Sequence, residues 1–183
     1  MPTSTRDRSL ATRFAVALLP LALAFTGGAS RADASSEVRE LSPRGDWSGA
    51  LRRIDQAVAA EPRNVSLRFQ RGVVLMDSGK DEQALALFTQ LAQEHPDLPD
   101  PYNNLALLHA RAGRLEQALA AVQEALRAEP AHRVARTNLG QLHLMLAVRT
   151  WDGLAQSGPV DASLLKRLEA ARALLSGTAP AGR

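Results

Sequence analysis

The chain has no cysteine among its 183 residues. Disulfides, thiolate metal sites, cysteine nucleophiles and a lipid anchor on an N-terminal cysteine are all excluded. Aromatic residues make up 4% of the chain, which disfavours a sheet-based fold, because strands draw on aromatic and β-branched side chains. No HExxH, GxSxG or phosphate-binding glycine loop occurs. The histidines are His95, His109, His132 and His143. His109 and His143 stand 34 residues apart, a spacing open to a metal or acid–base pair, although packing between helices is the simpler role. Asp81, Glu82, Glu116 and Glu124 fall on polar helix positions, with no sign of the paired, pocketed carboxylates that general acid–base work needs. There is no basic stripe of the kind that tracks phosphate. Charges alternate in sign instead, as in EVREL and GRLEQ, which marks solvated helix faces. Neither catalysis nor nucleic-acid binding finds support, and no cofactor or metal is expected.

Alanine, leucine and arginine fill the chain, and all three favour helices. The N-terminus stands apart. Arg6, Arg8 and Arg13 precede an apolar run from Phe14 to Phe25, and small residues follow, with Ala32 and Ala34 in A-x-A spacing. This is the three-part layout of a secretory signal peptide, with cleavage expected after Ala34. The alternative is an uncleaved anchor. A membrane span needs about 20 apolar residues, whereas this run has 12 and contains Pro20. Much of the apparent basicity belongs to residues 1–34, and the rest of the chain is close to charge-balanced. A periplasmic or secreted location is expected, with no stable membrane insertion after cleavage.

From residue 45 onward the chain repeats at an interval of 34. Gly45, Gly79 and Gly113 fall in line, as do Ala50, Ala84 and Ala118, then Leu51, Leu85 and Leu119. Ile54, Phe88 and Val122 form an apolar set, and Pro62, Pro96 and Pro130 close each unit. Such a period signals stacked helical hairpins. Glycine at 79 and 113 ends a first helix where a left-handed residue is needed. Proline cannot continue the second helix. Gly72, Ala106 and Gly140 fall within first helices, where glycine costs about 1 kcal/mol against alanine. A small residue there predicts a partner helix crossing very close, met from the other side by Ala84 and Ala118.

These residues resemble the tetratricopeptide repeat, a 34-residue helix-turn-helix family. The match is best over 99–132, through Tyr102, Leu105, Ala106, Ala118, Ala125 and Pro130. It continues in 65–98, where Arg68 and Arg71 stand in usually apolar places, and weakly in 35–64. After residue 132 it fades, because Asp152 stands where alanine is usual. Residues 133–156 read as one lengthened helix. A last amphipathic helix over DASLLKRLEAARALL carries Leu164, Leu165, Leu168, Ala171 and Leu175 on one face. The resemblance implies an all-α, right-handed superhelical stack over residues 35–176, with a C-terminal capping helix and a disordered tail at 177–183. More loosely, the chain is similar to small exported tetratricopeptide proteins of Gram-negative bacteria.

In this family first helices line a concave groove that takes a peptide or protein segment. The resemblance places Phe69, Gln70, Val73, Met76 and Asp77 there, then Asp100, Asn103, Asn104, Leu107 and Arg111, then Thr137, Asn138, Gln141, Leu144 and Met145. Some members clamp a C-terminal carboxylate with lysine, arginine and asparagine. Here Phe69, Val73, Val134 and Asn138 occupy four of those places and only Asn104 agrees, so a clamp of that type is not expected. Gln70, Asn104 and Asn138 share one place in successive repeats, which predicts a row of amides able to pair with a peptide backbone. The leading expectation is a non-catalytic periplasmic adaptor for a peptide segment in the cell envelope. The alternatives are a structural subunit using the convex face or end cap, and a holdase for exported chains. Oligomeric state is left open.

Overall fold

The computed structural model describes residue 41 and residues 45–177. The export segment, most of the first helix expected before Gly45, and the tail after residue 177 lie outside the described residues. Seven helices occupy the described residues: α1 (Trp47–Ala60), α2 (Val65–Asp77), α3 (Asp81–Glu94), α4 (Pro99–Arg111), α5 (Leu115–Ala128), α6 (Arg133–Ser157) and α7 (Ala162–Leu175). No strand occurs among them, and the chain is an all-α helical solenoid.

The 34-residue period is visible as a repeated helix ending. Gly45, Gly79 and Gly113 have φ of 73°, 75° and 72°. That left-handed turn brings the next N–H back over the helix end: Asp46 donates to the Leu41 carbonyl (3.2 Å), Lys80 to Leu75 (2.9 Å) and Arg114 to His109 (2.9 Å). Orphan carbonyls of the first helix are thereby satisfied. Pro62, Pro96 and Pro130 each stand just beyond a second helix, as expected.

Packing runs between sequence neighbours from α1 to α7, with α4 also meeting α6. This is the one-dimensional logic of a repeat stack. One core joins α1 to α4 through Ala50, Ile54, Leu75, Ala84, Phe88, Leu91 and Leu108. A second joins α4 to α6 through Ala106, Ala118, Val122, Ala125, Ala135 and Leu142. Helix α4 belongs to both, giving Leu105 and Leu108 to one and Ala106 to the other. The Tyr102 hydroxyl donates to the Ala92 carbonyl at 3.1 Å and ties α4 to the end of α3.

The small residue within α2 has the expected cause. A methyl group at Gly72 would come 2.6 Å from Cε1 of Phe88, whose side chain is wholly buried. Gly140 differs: nothing lies within 4 Å of such a methyl group. The close crossing expected there is absent because α6 runs on to Ser157 rather than turning back on itself. Arg68 and Arg71 keep their polar ends satisfied. Arg68 pairs with Glu94 of α3, and Arg71 Nε donates to Asp55 Oδ1 of α1 at 2.6 Å.

Helix α7 starts on Asp161, whose Oδ1 accepts from the Leu164 N–H at 2.9 Å. Only part of its expected apolar face is covered. Leu168 and Ala171 are buried and Leu164 is half-buried, whereas Leu165 and Leu175 are exposed. The face meets mainly one helix, α6, and one cylinder cannot cover a stripe of that width. Asp152, which breaks the repeat pattern, faces this helix: Arg172 Nη2 donates to its Oδ1 at 2.5 Å.

Candidate functional site

First helices α2, α4 and α6 carry the residues expected in the groove, and the structure sorts those residues into three groups. Some belong to the core. Met76 is 7% exposed and joins the first apolar cluster, so it offers the groove little surface. Asn103 and Asn104 are 6% and 8% exposed, the two buried polar residues among those described. Others are half-buried at the surface of α2, α4 and α6: Phe69, Gln70, Val73, Leu107, Asn138, Leu144 and Met145. Phe69 and Val73 pack against the core from that side. Thr137, Gln141, Asp77, Asp100 and Arg111 are exposed.

The amide row does not stand open along its length. Asn138 Nδ2 donates to Asn103 Oδ1 at 2.7 Å. Neighbouring first helices are offset, so the amide of α6 meets residue 103 of α4 rather than its repeat equivalent, Asn104. A buried amide that found no partner would cost about 1–3 kcal/mol, and the Asn103–Asn138 bond spares that cost while locking α4 to α6. The exposed Thr137 hydroxyl is also engaged, donating to the Arg133 carbonyl of its own helix at 3.1 Å. A narrow cleft of about 40 Å³ separates α4 from α6, lined by Leu107, Ala110, Asn138, Gln141 and Met145 among others.

Arg111 is similarly committed. Its Nη1 donates to the Met76 carbonyl at 3.1 Å and lies 3.6 Å from Asp81 Oδ1. It thus closes the C-terminal end of α2, where a cation suits the helix dipole. Asp77, beside it, has its pKa raised by desolvation, an effect the Arg111 charge opposes.

Sequence reasoning missed a contact at the other end of the groove. His132 Nδ1 accepts from the Ala135 N–H at 3.1 Å and so caps α6. Its Nε2 lies 3.0 Å from Asp100 Oδ1 in the first turn of α4. With Nδ1 accepting, Nε2 carries the hydrogen and donates to the carboxylate. A histidine cap lies outside the usual Ser, Thr, Asp and Asn set, so the sequence carried no signal for it. The imidazole pair considered from spacing gains no support: His109 Nδ1 accepts from Arg114 Nε at 3.1 Å, and His143 is exposed. Burial first, and then the Arg114 charge, lower the His109 pKa. Among the described residues no three His, Asp or Glu side chains gather as metal ligands, and no helix is long and apolar enough to cross a membrane.

A cleft of about 490 Å³ lies between the first turns of α2 and α4. Val65, Ser66 and Phe69 form one wall, His95, Asp97 and Leu98 of the α3–α4 loop another, and Asp100 with Pro101 the third. The Phe69 ring at its base sits 5.5 Å from that of Phe88, tilted by 55°. Of these residues only Phe69 and Asp100 were expected in the groove.

Models of the tetratricopeptide repeat family match residues 37–99 and 99–132. No curated protein matches the chain. Among solved structures it is similar to the TPR domain of Sgt2 from Aspergillus fumigatus, at 20% identity and a TM-score of 0.58, over 70% of this chain and 84% of that one. It is similar also to the second TPR domain of human RPAP3, solved in complex with the HSP70 peptide SGPTIEEVD, at 19% identity and a TM-score of 0.53, over 60% of this chain and 92% of that one. YrrB, a TPR protein with an unusual peptide-binding site, is 25% identical, with a TM-score of 0.51 over 55% of this chain and 52% of that one.

Proposed function

Because the chain belongs to the tetratricopeptide repeat family, we propose that it is a non-catalytic adaptor that holds a peptide segment of another protein along α2, α4 and α6. One observation carries the reading: these three helices leave Phe69, Val73, Leu107 and Leu144 half-buried at their surface, and Phe69 also lines a cleft of about 490 Å³. Apolar side chains left part-exposed in a concave surface with convergent polar groups are the usual make-up of a binding site. The peptide carried by the human RPAP3 domain supports the same use of the fold. The amides act here mainly by holding the groove's shape, with Gln141 and Thr137 exposed at its third helix.

The N-terminal layout supports export, and with it a periplasmic partner in the cell envelope. N-terminal sequencing of the protein from a periplasmic fraction should begin at Ser35. Recovery of an intact N-terminus in the membrane pellet would reverse that reading. For the groove, cross-linking in the native host identifies the partner. Leu107→Arg should then lower its affinity about fivefold or more, since about 1–3 kcal/mol follows from a charge in an apolar contact. Glu124→Ala, on α5, should change it little. Equal loss in both variants, or in neither, would place the contact elsewhere.

A second reading has its own observation. Leu154, Leu165 and Leu174 are 53%, 45% and 60% exposed on the last two helices. That supports a structural subunit docked through its C-terminal end. Leu174→Glu would then release the partner while Leu107→Arg would not.

A further inference from the structure

The cleft between the first turns of α2 and α4 has an apolar base and an acidic rim. Val65, Phe69, Leu98 and Pro101 supply apolar surface, Asp97 and Asp100 supply carboxylates at the edge, and Ser66 and His95 complete the lining. No lysine or arginine lines it. The cation nearest in sequence, Arg68, is held by Glu94 on α3. Asp100 receives a hydrogen bond from His132, but a neutral imidazole removes none of the aspartate's charge. Asp97 is exposed in the loop. A cationic side chain entering here would gain two opposite charges at short range beside low-dielectric walls, where such attraction exceeds its value in open water. An acidic one would meet like charge.

From this charge pattern we infer that the cleft selects partners by a lysine or arginine set next to an apolar residue: the apolar side chain lies over Phe69 and the cation reaches Asp97 and Asp100. The inference rests on the groove reading above and adds a sign to it. The volume suits one or two side chains rather than a whole helix. Peptide specificity would then lie at the α2–α4 end of the groove, while the α4–α6 end, closed by the Asn103–Asn138 bond, contributes apolar contact around Leu107.

Two labelled eight-residue probes of alanine and leucine test this, one with two arginines and the other with two glutamates in the same places. Fluorescence anisotropy at low salt should show the arginine probe binding at least tenfold more tightly, with the preference shrinking as salt screens it. Asp97→Asn should remove several-fold of that preference, and Asp97→Asn with Asp100→Asn most of it. Ser66→Lys, an exposed change on the wall of the cleft, should shrink it about as far as Asp97→Asn does without touching the core; thermal melts confirm that each variant stays folded. If both probes bind equally and Leu107→Arg abolishes both, the groove reading stands and the acidic cleft is overturned. If the arginine probe binds but ignores the cleft variants and Leu107→Arg alike, both readings fall. No binding of either probe at 1 mM also overturns both, since about 4 kcal/mol of binding is the least that such a site would offer.

Discussion

Helices α1 to α5 and helices α6 and α7 draw heavily on the same leucine, alanine and arginine, yet bury them to different depths. Helix α4 buries Pro101, Asn103, Asn104, Leu105, Ala106 and Leu108 within 13 residues. Helix α6 buries only Ala135 and Leu142 along 25 residues. The difference comes from partners rather than composition. In the hairpins each helix touches neighbours on two sides, so a wide apolar stripe is covered. Past Leu142, α6 still packs Met145 and Leu146 against the second core and pairs Arg149 with Glu116 of α5, but α7 meets mainly α6. Hydrophobic stabilisation follows the area removed from water, roughly 25 cal/mol per Å², so the same leucine contributes less at this end. A repeat stack is accordingly held from its middle, with ends that open first.

The widest gap between the two regions should appear on truncating a buried side chain in each. Phe88→Ala removes a ring that is wholly buried and that fills the space Gly72 leaves. It should lower global stability by about 3–5 kcal/mol. Leu168→Ala, in α7, removes a side chain that is 4% exposed, but its effect should be confined to local opening of α7, with amide exchange accelerated over Ala162–Leu175 and the urea midpoint of the hairpins nearly unmoved. A shared, equally lowered midpoint would show that α7 unfolds with the hairpins, and the contrast would fail.

Two glycines at the same repeat position give the next test, with opposite signs. At Gly72 an added methyl group lies 2.6 Å from Phe88, so Gly72→Ala forces a buried ring to move and should destabilise by about 1–3 kcal/mol. At Gly140 the space is open and the helix backbone gains from alanine, so Gly140→Ala should stabilise by about 0.5–1 kcal/mol. Urea melts of both variants decide it. Destabilisation by Gly140→Ala would mean that this face of α6 is covered in solution.

These glycines also mark how far the sequence was legible. The period of 34, the left-handed glycines and the closing prolines are local rules, because each acts through the backbone within a few residues. They placed the hairpins, the long α6 and the start of α7. The neighbour of Gly140 was not legible, because a glycine records permission for a close crossing and not the presence of the helix that would use it. Asp152, out of pattern, was the hint that no such helix follows. The groove was legible as a list of faces but not of partners. Spacing placed Gln70, Asn104 and Asn138 on one line, whereas the offset between helices pairs Asn138 with Asn103. Arg111 was expected to face a ligand and instead caps α2 through the Met76 carbonyl. Long polar side chains reach across helices, and a one-dimensional pattern does not record where they land.

The smallest expected effect comes from acid, acting on the same kind of cap at both ends. Asp46 caps α1 by accepting from the Gly49 N–H at 2.9 Å, and Asp161 caps α7 by accepting from Leu164. Both carboxyls are held below the ordinary aspartate pKa, chiefly by those backbone hydrogen bonds, with the Ser48 hydroxyl next in importance at Asp46. The unfolded chain, with aspartate near 3.9, therefore takes up the proton first. Each cap's contribution is fully present above that value and is lost as pH falls through the lower folded value. Loss of a cap should matter where little else holds the helix. Helix α1 has Ala50, Leu51 and Ile54 buried against α2, whereas α7 has Leu168 and Ala171. Lowering the pH from 6 to below about 4 should then speed amide exchange in α7, after correction for the intrinsic rate, while α1 keeps its protection. Asp161→Asn retains an acceptor that does not titrate in this range, and it should make α7 insensitive over that window. If the variant frays with the same pH profile as the parent, the acid response belongs to another carboxylate on these helices.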